Sequence, residues 1–292
     1  MNNQTIDIEA KKEKNRNFLA SIQNLPSIPV VMMEVTNLLG NPNTSAGELG
    51  KIISKDQGLV TKILRVANSP LYGLPRKVST IEFAIVILGF THIKNIVVAL
   101  SAFEAFNSKN DQKWDKKKFW AHSIMTATVA KRISEDIGYR KSGEAFIAGL
   151  LHDLGISVIQ RFFSKQFKEI IELVETQKIR YINAEEQVMG LNHGEIGQYL
   201  AERWNLPESL GETIRHHHKP SESEDFKVVA SIVHLADYLT QRFKVADLSW
   251  DEGMQFDDNI VDILRLGDEQ NLNNMILSYE KLLVDQYESI KI

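Results

Sequence analysis

Residues 145–155 read Ala-Phe-Ile-Ala-Gly-Leu-Leu-His-Asp-Leu-Gly, a nearly all-apolar run that delivers two adjacent polar residues, His152 and Asp153. A helix without a polar face belongs at the centre of its domain, so residues 142–154 are expected to form a central helix. A carboxylate carried into such an interior is costly unless it is paired. Potential partners lie on both sides of the run: His122 upstream, then His193, His217, His218 and Asp237 downstream. Imidazole and carboxylate donors converging from several helices are what a one- or two-metal hydrolytic centre requires.

Working outward, helical periodicity dominates and no run alternates as a strand would, so the expected fold is all-α. The N-terminus reads as a frayed start, and Pro26 and Pro29 punctuate a turn before an apolar helix ending near Gly40. Ser45-x-x-Glu48 is a capping box, and Asp56 to Asn68 forms a helix with Leu59, Ile63, Val66 and Ala67 inward. Ser79-x-x-Glu82 is expected to cap a short helix ending at Gly89, and Thr91 to start one running to about Phe106. Lys109 to Lys118 is polar and Lys-rich and marks a boundary. Helix 119–137 follows, with Gly138 past its end. Asn183-x-x-Glu186 is expected to cap a long helix through Trp204. Asn205-Leu206-Pro207 then starts another helix that reaches His216-His217-His218. Residues 225–243 form a further apolar helix, and 258–289 one or two amphipathic ones. Four regions result: a polar segment 1–24, an N-terminal helical bundle 25–107, a metal-binding helical bundle 108–245, and an acidic helical segment 246–292.

Composition narrows the function classes. The 292 residues include no cysteine, which excludes disulfides and thiolate metal sites. Hydrophobic content of 43% with 25% charged residues is ordinary for a globular protein. The longest apolar runs, such as Phe83–Phe90 and Ile96–Phe103, are too short to span a bilayer. Met1 to Asn17 is polar and mixed in charge, without a signal-peptide pattern, so the expected location is cytoplasmic. Residues 25–106 carry seven Lys/Arg against five Asp/Glu, far from the basic footprint of a dedicated nucleic-acid binder. Lys51, Lys55, Lys62, Arg65, Arg76, Lys77 and Lys94 therefore read as solvated faces of the bundle. Residues 241–292 carry five against 11, an acidic, solubilising tail.

The site residues share a direction. His122 falls on a stripe with Thr126, Val129 and Ile133, and His193 on one with Gly197, Leu200 and Trp204, both facing inward. His152 and Asp153 lie about 100° apart around a helix, and near a helix end both can reach one ion. Asp153 has two oxygens and can bridge two ions, whereas each histidine binds one. Asp237 lies in the apolar stretch Ile232-Val-His-Leu-Ala-Asp-Tyr-Leu239. Each residue also has a structural reading: a lone inward histidine is more often a hydrogen-bonded core residue, His216–His218 could be an exposed run, and Asp237 could pair with an arginine. His234 reads as a supporting residue and His92 as structural. The ordered series on helical elements is far more specific than any member alone.

That series resembles the HD superfamily of metal-dependent phosphohydrolases in its order His122, His152-Asp153, Asp237, and its two-metal members in the additional His193 and His217-His218. The text is more specifically similar to the HDOD subgroup, the HD-related output domain of bacterial signalling proteins. It matches in Leu25-Pro-Ser-Ile-Pro29, Leu59-Val-Thr-Lys-Ile-Leu-Arg-Val-Ala-Asn-Ser69 and Ser79-Thr-Ile-Glu-Phe-Ala-Ile-Val-Ile-Leu-Gly89. It matches again in Phe119-Trp-Ala-His-Ser123, Gly149-Leu-Leu-His-Asp-Leu-Gly155, Trp204-Asn-Leu-Pro207 and His217-His-Lys-Pro220, together covering roughly residues 25–240. The resemblance implies an N-terminal helical bundle packed on an HD-like bundle, with C-terminal helices beyond it. It also implies a stand-alone bacterial signal-transduction module and a signalling protein as partner, with a nucleotide or phosphate as a possible ligand. Its metal ligands would be His122, His152, Asp153, His193, His217, His218 and Asp237. Such donors suit one or two divalent ions, Fe, Mn or Zn.

One position departs from the catalytic relatives. Two-metal HD phosphodiesterases resemble His-Asp-x-Gly-Lys, whose lysine reaches the substrate phosphate; here the run is His152-Asp-Leu-Gly-Ile156. Isoleucine offers neither charge nor donor for transition-state stabilisation, and the Gly-Tyr-Pro signature of the cyclic-di-GMP-degrading branch is missing after His218. Arg161, Lys165 and Arg215 are the candidate substitutes. The expected function is a regulatory module that holds metal without strong catalysis; the alternative is a phosphohydrolase or phosphodiesterase acting on a nucleotide or other phosphate ester.

Overall fold

The computed structural model of the chain describes residues 3–22, 31, 34–35, 45–68, 76–90, 93, 96–97, 100–101, 115–245 and 253–290, and every regular element among them is helical. The first is α1 (Asn3–Ser21). The residues read from sequence as a frayed start are therefore helical, and the helix is ordered by docking: Asn15 is buried and its amide donates to the Met189 carbonyl at 2.8 Å.

The N-terminal bundle contains α2 (Ala46–Ile53), α3 (Gln57–Ala67) and α4 (Ile81–Leu88). The Ser45/Glu48 capping box is present, and Leu59, Ile63, Val66 and Ala67 are buried as the spacing requires. The α4 cap lies one residue later than the sequence suggests: Thr80, not Ser79, accepts from the Phe83 amide. Asn68 ties α3 to the segment before α4, its side chain both accepting from and donating to Val78 at 2.7 Å. Of the helices expected before Gly40 and over 91–106, the described residues Val31, Glu34, Val35, Ile93, Ile96, Val97, Leu100 and Ser101 are helical; the rest of those stretches, His92, and most of the Lys109–Lys118 boundary lie outside the described residues.

The second bundle begins with α5 (Lys116–Asp136), capped by Asp115. The expected central helix 142–154 is α6 (Ser142–Leu151), ending three residues early; a break at His152-Asp153 follows, and then α7 (Leu154–Phe162), which the sequence pattern does not separate out. The apolar character of this stretch has the expected consequence, since every residue from Ala145 to Gln160 is buried. Then follow α8 (Ser164–Gln177), α9 (Tyr181–Met189) and α10 (His193–Arg203). The long helix expected from Asn183 to Trp204 is thus divided. It stops at Gly190, whose φ of 70° is left-handed, and restarts with a capping box formed by Asn192 and Glu195 rather than Asn183 and Glu186. Helix α11 (Glu208–His216), a short 3-10 turn at Pro220–Glu222, and α12 (Lys227–Arg242) complete the bundle, and α13 (Ile260–Ile263) and α14 (Glu269–Ile290) follow.

Helix α5 packs on α6 and α12, and α10 packs on α7 and α11. One contiguous apolar cluster runs from Leu49 and Ile63 in the first bundle to Tyr279 and Leu283 on α14, so the two bundles share a core. Ser142–Phe162 is long and apolar enough by composition to cross a membrane, but it is broken in the middle and 83% of its most apolar window is buried inside the molecule. It is core.

Candidate metal centre

Where helices end decides what meets at the centre. His152 is the C-cap of α6 and Asp153 the N-cap of α7. Aspartate at an N-cap ordinarily accepts from the backbone amides of the new helix, worth about 1 kcal/mol; Asp153 makes no such bond. Its carboxylate faces imidazoles instead. His193 is the first residue of α10 and His217 the C-cap of α11. His122 and Asp237 come from the interiors of α5 and α12. Close approach of α6 to α5 brings two of these together, since a Cβ on Gly149 would lie 2.9 Å from the Cα of Ala127.

All seven residues identified from sequence are buried and converge on one point. They fall into two donor sets that adjoin closely, since His152, His217 and Asp237 also lie near enough to share an ion. In the first, His122 Nε2 lies 3.2 Å from His152 Nε2, 3.2 Å from Asp237 Oδ1 and 3.6 Å from Asp153 Oδ2. His152 Nε2 lies 3.3 Å from Asp153 Oδ2 and 3.6 Å from Asp237 Oδ1. In the second, His193 Nε2 lies 3.2 Å from His217 Nε2 and 3.0 Å from His218 Nε2. Asp153 turns its other oxygen to this set, Oδ1 being 3.5 Å from His193 Nε2 and 3.7 Å from His217 Nε2. His216 is left out; it faces Glu212 at 3.5 Å.

These separations fit a metal. Donors around a tetrahedral ion stand apart by about 1.63 bond lengths, so bonds of roughly 2.0–2.2 Å predict edges of roughly 3.3–3.6 Å. Five of the six edges of the first set span 3.2–3.6 Å.

Proton placement points the same way. His152 Nδ1 lies 2.7 Å from the Gly149 carbonyl and His217 Nδ1 2.7 Å from the Ile214 carbonyl. A carbonyl can only accept, so each Nδ1 carries a proton and each Nε2 is the nitrogen turned to the centre. Imidazole nitrogens facing one another at 3.0–3.2 Å need a proton or a shared cation between them. Both oxygens of buried Asp237 likewise meet no donor among the described residues beyond the imidazole nitrogens. Donation of the outer imidazole proton to a carbonyl or carboxylate is how metal-binding histidines are oriented.

The electrostatics follow from burial and proximity. Burial pushes His217 down to about 3 and His218 well below its usual range, with adjacent imidazoles adding to both effects, so the two are neutral bases. Burial opposes charge on His152 as well, but Asp153 and Asp237 overcome it and hold that imidazole well above its ordinary value. Burial would raise both aspartates, yet the facing histidines keep each carboxyl well below the usual carboxylate range.

Two supporting residues complete the site. His234 donates from Nδ1 to the His217 carbonyl at 2.7 Å and accepts from the Asp257 amide at 2.9 Å, the supporting role expected of it. Glu185 was not visible in the sequence. Fully buried, it accepts from His193 Nδ1 at 2.7 Å and from the His193 amide at 3.0 Å. Burial raises Glu185; burial opposes charge on His193, but Glu185 outweighs it and holds that imidazole above its ordinary value. No spacing rule could find it, because the two are eight positions apart across the helix break at Gly190. Of the suggested lysine substitutes, Arg161, Lys165 and Arg215 are all exposed, and Arg215 donates to Gln198. Ile156 is completely buried.

A helical protein with a buried His/Asp cluster drawn from several helices of its second bundle is an HD-like protein by architecture. Residues 25–220 match the HDOD domain, and the chain belongs to that family. It is similar to an HDOD domain protein of unknown function from Geobacter sulfurreducens, with 26% identity, TM-score 0.77, and 97% and 98% of the two chains covered. A candidate signal transduction protein from Marinobacter aquaeolei VT8 aligns with TM-score 0.74 at 22% identity, over 98% of this chain and 67% of that one. A candidate phosphohydrolase from Shewanella amazonensis SB2B aligns with TM-score 0.71 at 20% identity, over 94% and 97%. An uncharacterized protein of Treponema pallidum (strain Nichols) is 29% identical over 273 residues; the match takes in 91% of this chain and spans about half (51%) of that protein.

Proposed function

We propose that this chain is a signal-transduction module whose HD-type centre holds two divalent ions and does not strongly hydrolyse phosphate esters. One juxtaposition carries the reading: two donor sets share Asp153, while position 156, lysine in the catalytic relatives it resembles, is a buried isoleucine. Bound ions would supply Lewis acidity and an activated water. What this chain's residues supply is binding and orientation: imidazoles fixed by Gly149, Ile214 and Glu185, and a carboxylate divided between the two sets. A cation aimed at a substrate phosphate, the usual further requirement for charge stabilisation, has no counterpart at Ile156. The centre then serves to lock α5, α6, α10, α11 and α12 into one arrangement that a signalling partner reads. The name of the Marinobacter neighbour points the same way.

The alternative, a phosphohydrolase or phosphodiesterase, is favoured by the completeness of the donor sets and by the name of the Shewanella neighbour. Elemental analysis of tag-free protein beside His152→Ala/Asp153→Ala separates the readings when joined to a panel of cyclic dinucleotides, nucleotides and phosphodiesters. About two ions per chain, lost in the double variant, with no turnover, is the expected result. Turnover abolished by His152→Ala would replace the module with the enzyme, and an absence of metal in the wild type would overturn both.

A further inference from the structure

The segment 185–195 carries the second donor set's least symmetrical member, and α1 grips that segment at both ends. At one end, Lys11 Nζ donates to the Gln187 carbonyl at 3.2 Å and buried Asn15 donates to the Met189 carbonyl at 2.8 Å. The α1 backbone also lies directly over Gly190, where a Cβ would come 2.7 Å from the Lys12 nitrogen. At the other end, Lys12 Nζ and Arg16 Nη2 reach Glu195 Oε1 at 2.9 and 3.3 Å. Glu195 is half of the capping box whose other half is Asn192, and His193 is the next residue. Between the two anchors sits His193, and Glu185, two residues before the first anchor, is bonded to it through both the ring and the backbone amide.

The grip is polar. Most of the described side chains of α1 from Asp7 onward are exposed, and its buried positions are Asn15 and Leu19. Phe18 meets Phe163 edge-on at 5.0 Å but remains 46% exposed. Ion pairs at such a surface weaken with salt and hold by fractions of a kcal/mol to about 1 kcal/mol each. A helix attached this way detaches far more easily than the core unfolds.

We propose that α1 is a releasable strap that sets the affinity of the second metal position by holding the α9–α10 turn, and with it Glu185 and His193, in the binding geometry. The first set, His122, His152, Asp153 and Asp237, lies on α5, the α6–α7 junction and α12, and α1 does not hold it. Release of α1 therefore weakens one ion and spares the other. This rests on the two-ion reading above. A signal that captures α1, by competing for its basic face or by raising local ionic strength, becomes a change in metal occupancy.

The test uses the full chain, tag-free, as wild type, as Lys12→Glu/Arg16→Glu, and as Lys14→Glu, a control at an exposed position of the same helix. Mn2+ titration by calorimetry is paired with amide hydrogen exchange over residues 181–195 in metal-free protein. Two binding events are expected in wild type and control. In the double variant one event should weaken at least tenfold while the other stays within twofold, and exchange over 181–195 should quicken. Two unchanged events, or two that weaken equally, would overturn the strap. Should the wild type bind no Mn2+, the two-ion reading fails, and exchange alone decides: faster exchange in the double variant upholds α1 as the strap on this segment, and unchanged exchange refutes it.

Discussion

Gly155 is the position where a single methyl group should separate the two donor sets. It opens α7 two residues after Asp153, and α10 crosses it with no space between the backbones. A Cβ at 155 would lie 2.7 Å from the carbonyl carbon and 2.9 Å from the Cα of His193, with the carbonyl oxygen nearer still. Ordinary contact begins at 3.4 Å, so the carbon alone must retreat by about 0.7 Å (3.4 less 2.7). All three atoms are backbone, and no rotamer change can relieve the overlap. Metal–ligand distances tolerate about ±0.2 Å, so a shift of that size takes His193 out of the second set. The first set has no atom on α10.

Gly155→Ala is accordingly expected to lose one ion of two and to lower stability by about 1–3 kcal/mol, the usual cost of overpacking. Gly211→Ala is the matched control. There the nearest atoms to a Cβ are Gln198 Cγ at 3.6 Å and Ala201 Cβ at 3.8 Å, ordinary contacts, and the site is inside helix α11. Alanine replaces glycine there with a gain of up to about 1 kcal/mol. Metal content by elemental analysis, helicity by circular dichroism and urea midpoints read all three proteins. A Gly155→Ala protein with two ions and a midpoint equal to wild type would refute the argument that backbone contact at this glycine places His193.

Other outcomes follow from the same contacts. Glu185→Gln keeps a hydrogen-bond acceptor for His193 Nδ1 but removes its charge; second-position affinity should fall about 10–100-fold in a competitive chelator titration, with the first unchanged. Chelation of the wild type should lower its melting temperature by roughly 10 °C, taking about 4 kcal/mol for a ligand at 1,000 times its Kd and roughly 2–4 °C per kcal/mol for a chain of this size; scanning calorimetry with and without chelator measures it. Tyr279 donates to Asp136 at 2.5 Å from a buried position, and burial followed by that bond raises the phenol above its usual value of 10. A raised folded-state pKa contributes stability that is complete below 10 and lost as pH rises through the folded value. Tyr279→Phe should therefore cost about 1 kcal/mol near neutrality and flatten the loss of stability above pH 10, read by urea denaturation across pH.

Much of this was legible in the sequence because periodicity and polarity conflict at the residues that matter. An all-apolar run ending in His-Asp, and histidines on apolar stripes at 122 and 193, are inconsistent with a plain core. What stayed hidden was the course of the chain past each helix end. The helix over 142–154 is expected to end beside His152-Asp153, but nothing in propensity marks the restart at Leu154. Residues 183–204 read as one continuous helix, since the stretch contains no proline and keeps its apolar pattern; the competing signals were local, left-handed Gly190 and the Asn192/Glu195 box. Glu185 was invisible for the same reason, as its partner is a neighbour only once the chain has turned.

The break at His152-Asp153 is itself the strongest physical sign that the centre is built for cations. In a continuous helix the two side chains would diverge by about 100°, and one of them would leave the cluster. Ending α6 at Leu151 and restarting at Leu154 turns both inward, at the cost of interrupting backbone hydrogen bonding in a fully buried stretch. The natural compensation, an Asp153 side-chain cap on α7, is absent. Apolar packing gains nothing from this arrangement, and without an ion the two buried carboxylates depend on protonated imidazoles, His152 above all, for their compensating charge. A bound cation would take over that role, and it would turn the break, the forgone cap and the crowded nitrogens from three separate costs into one binding site.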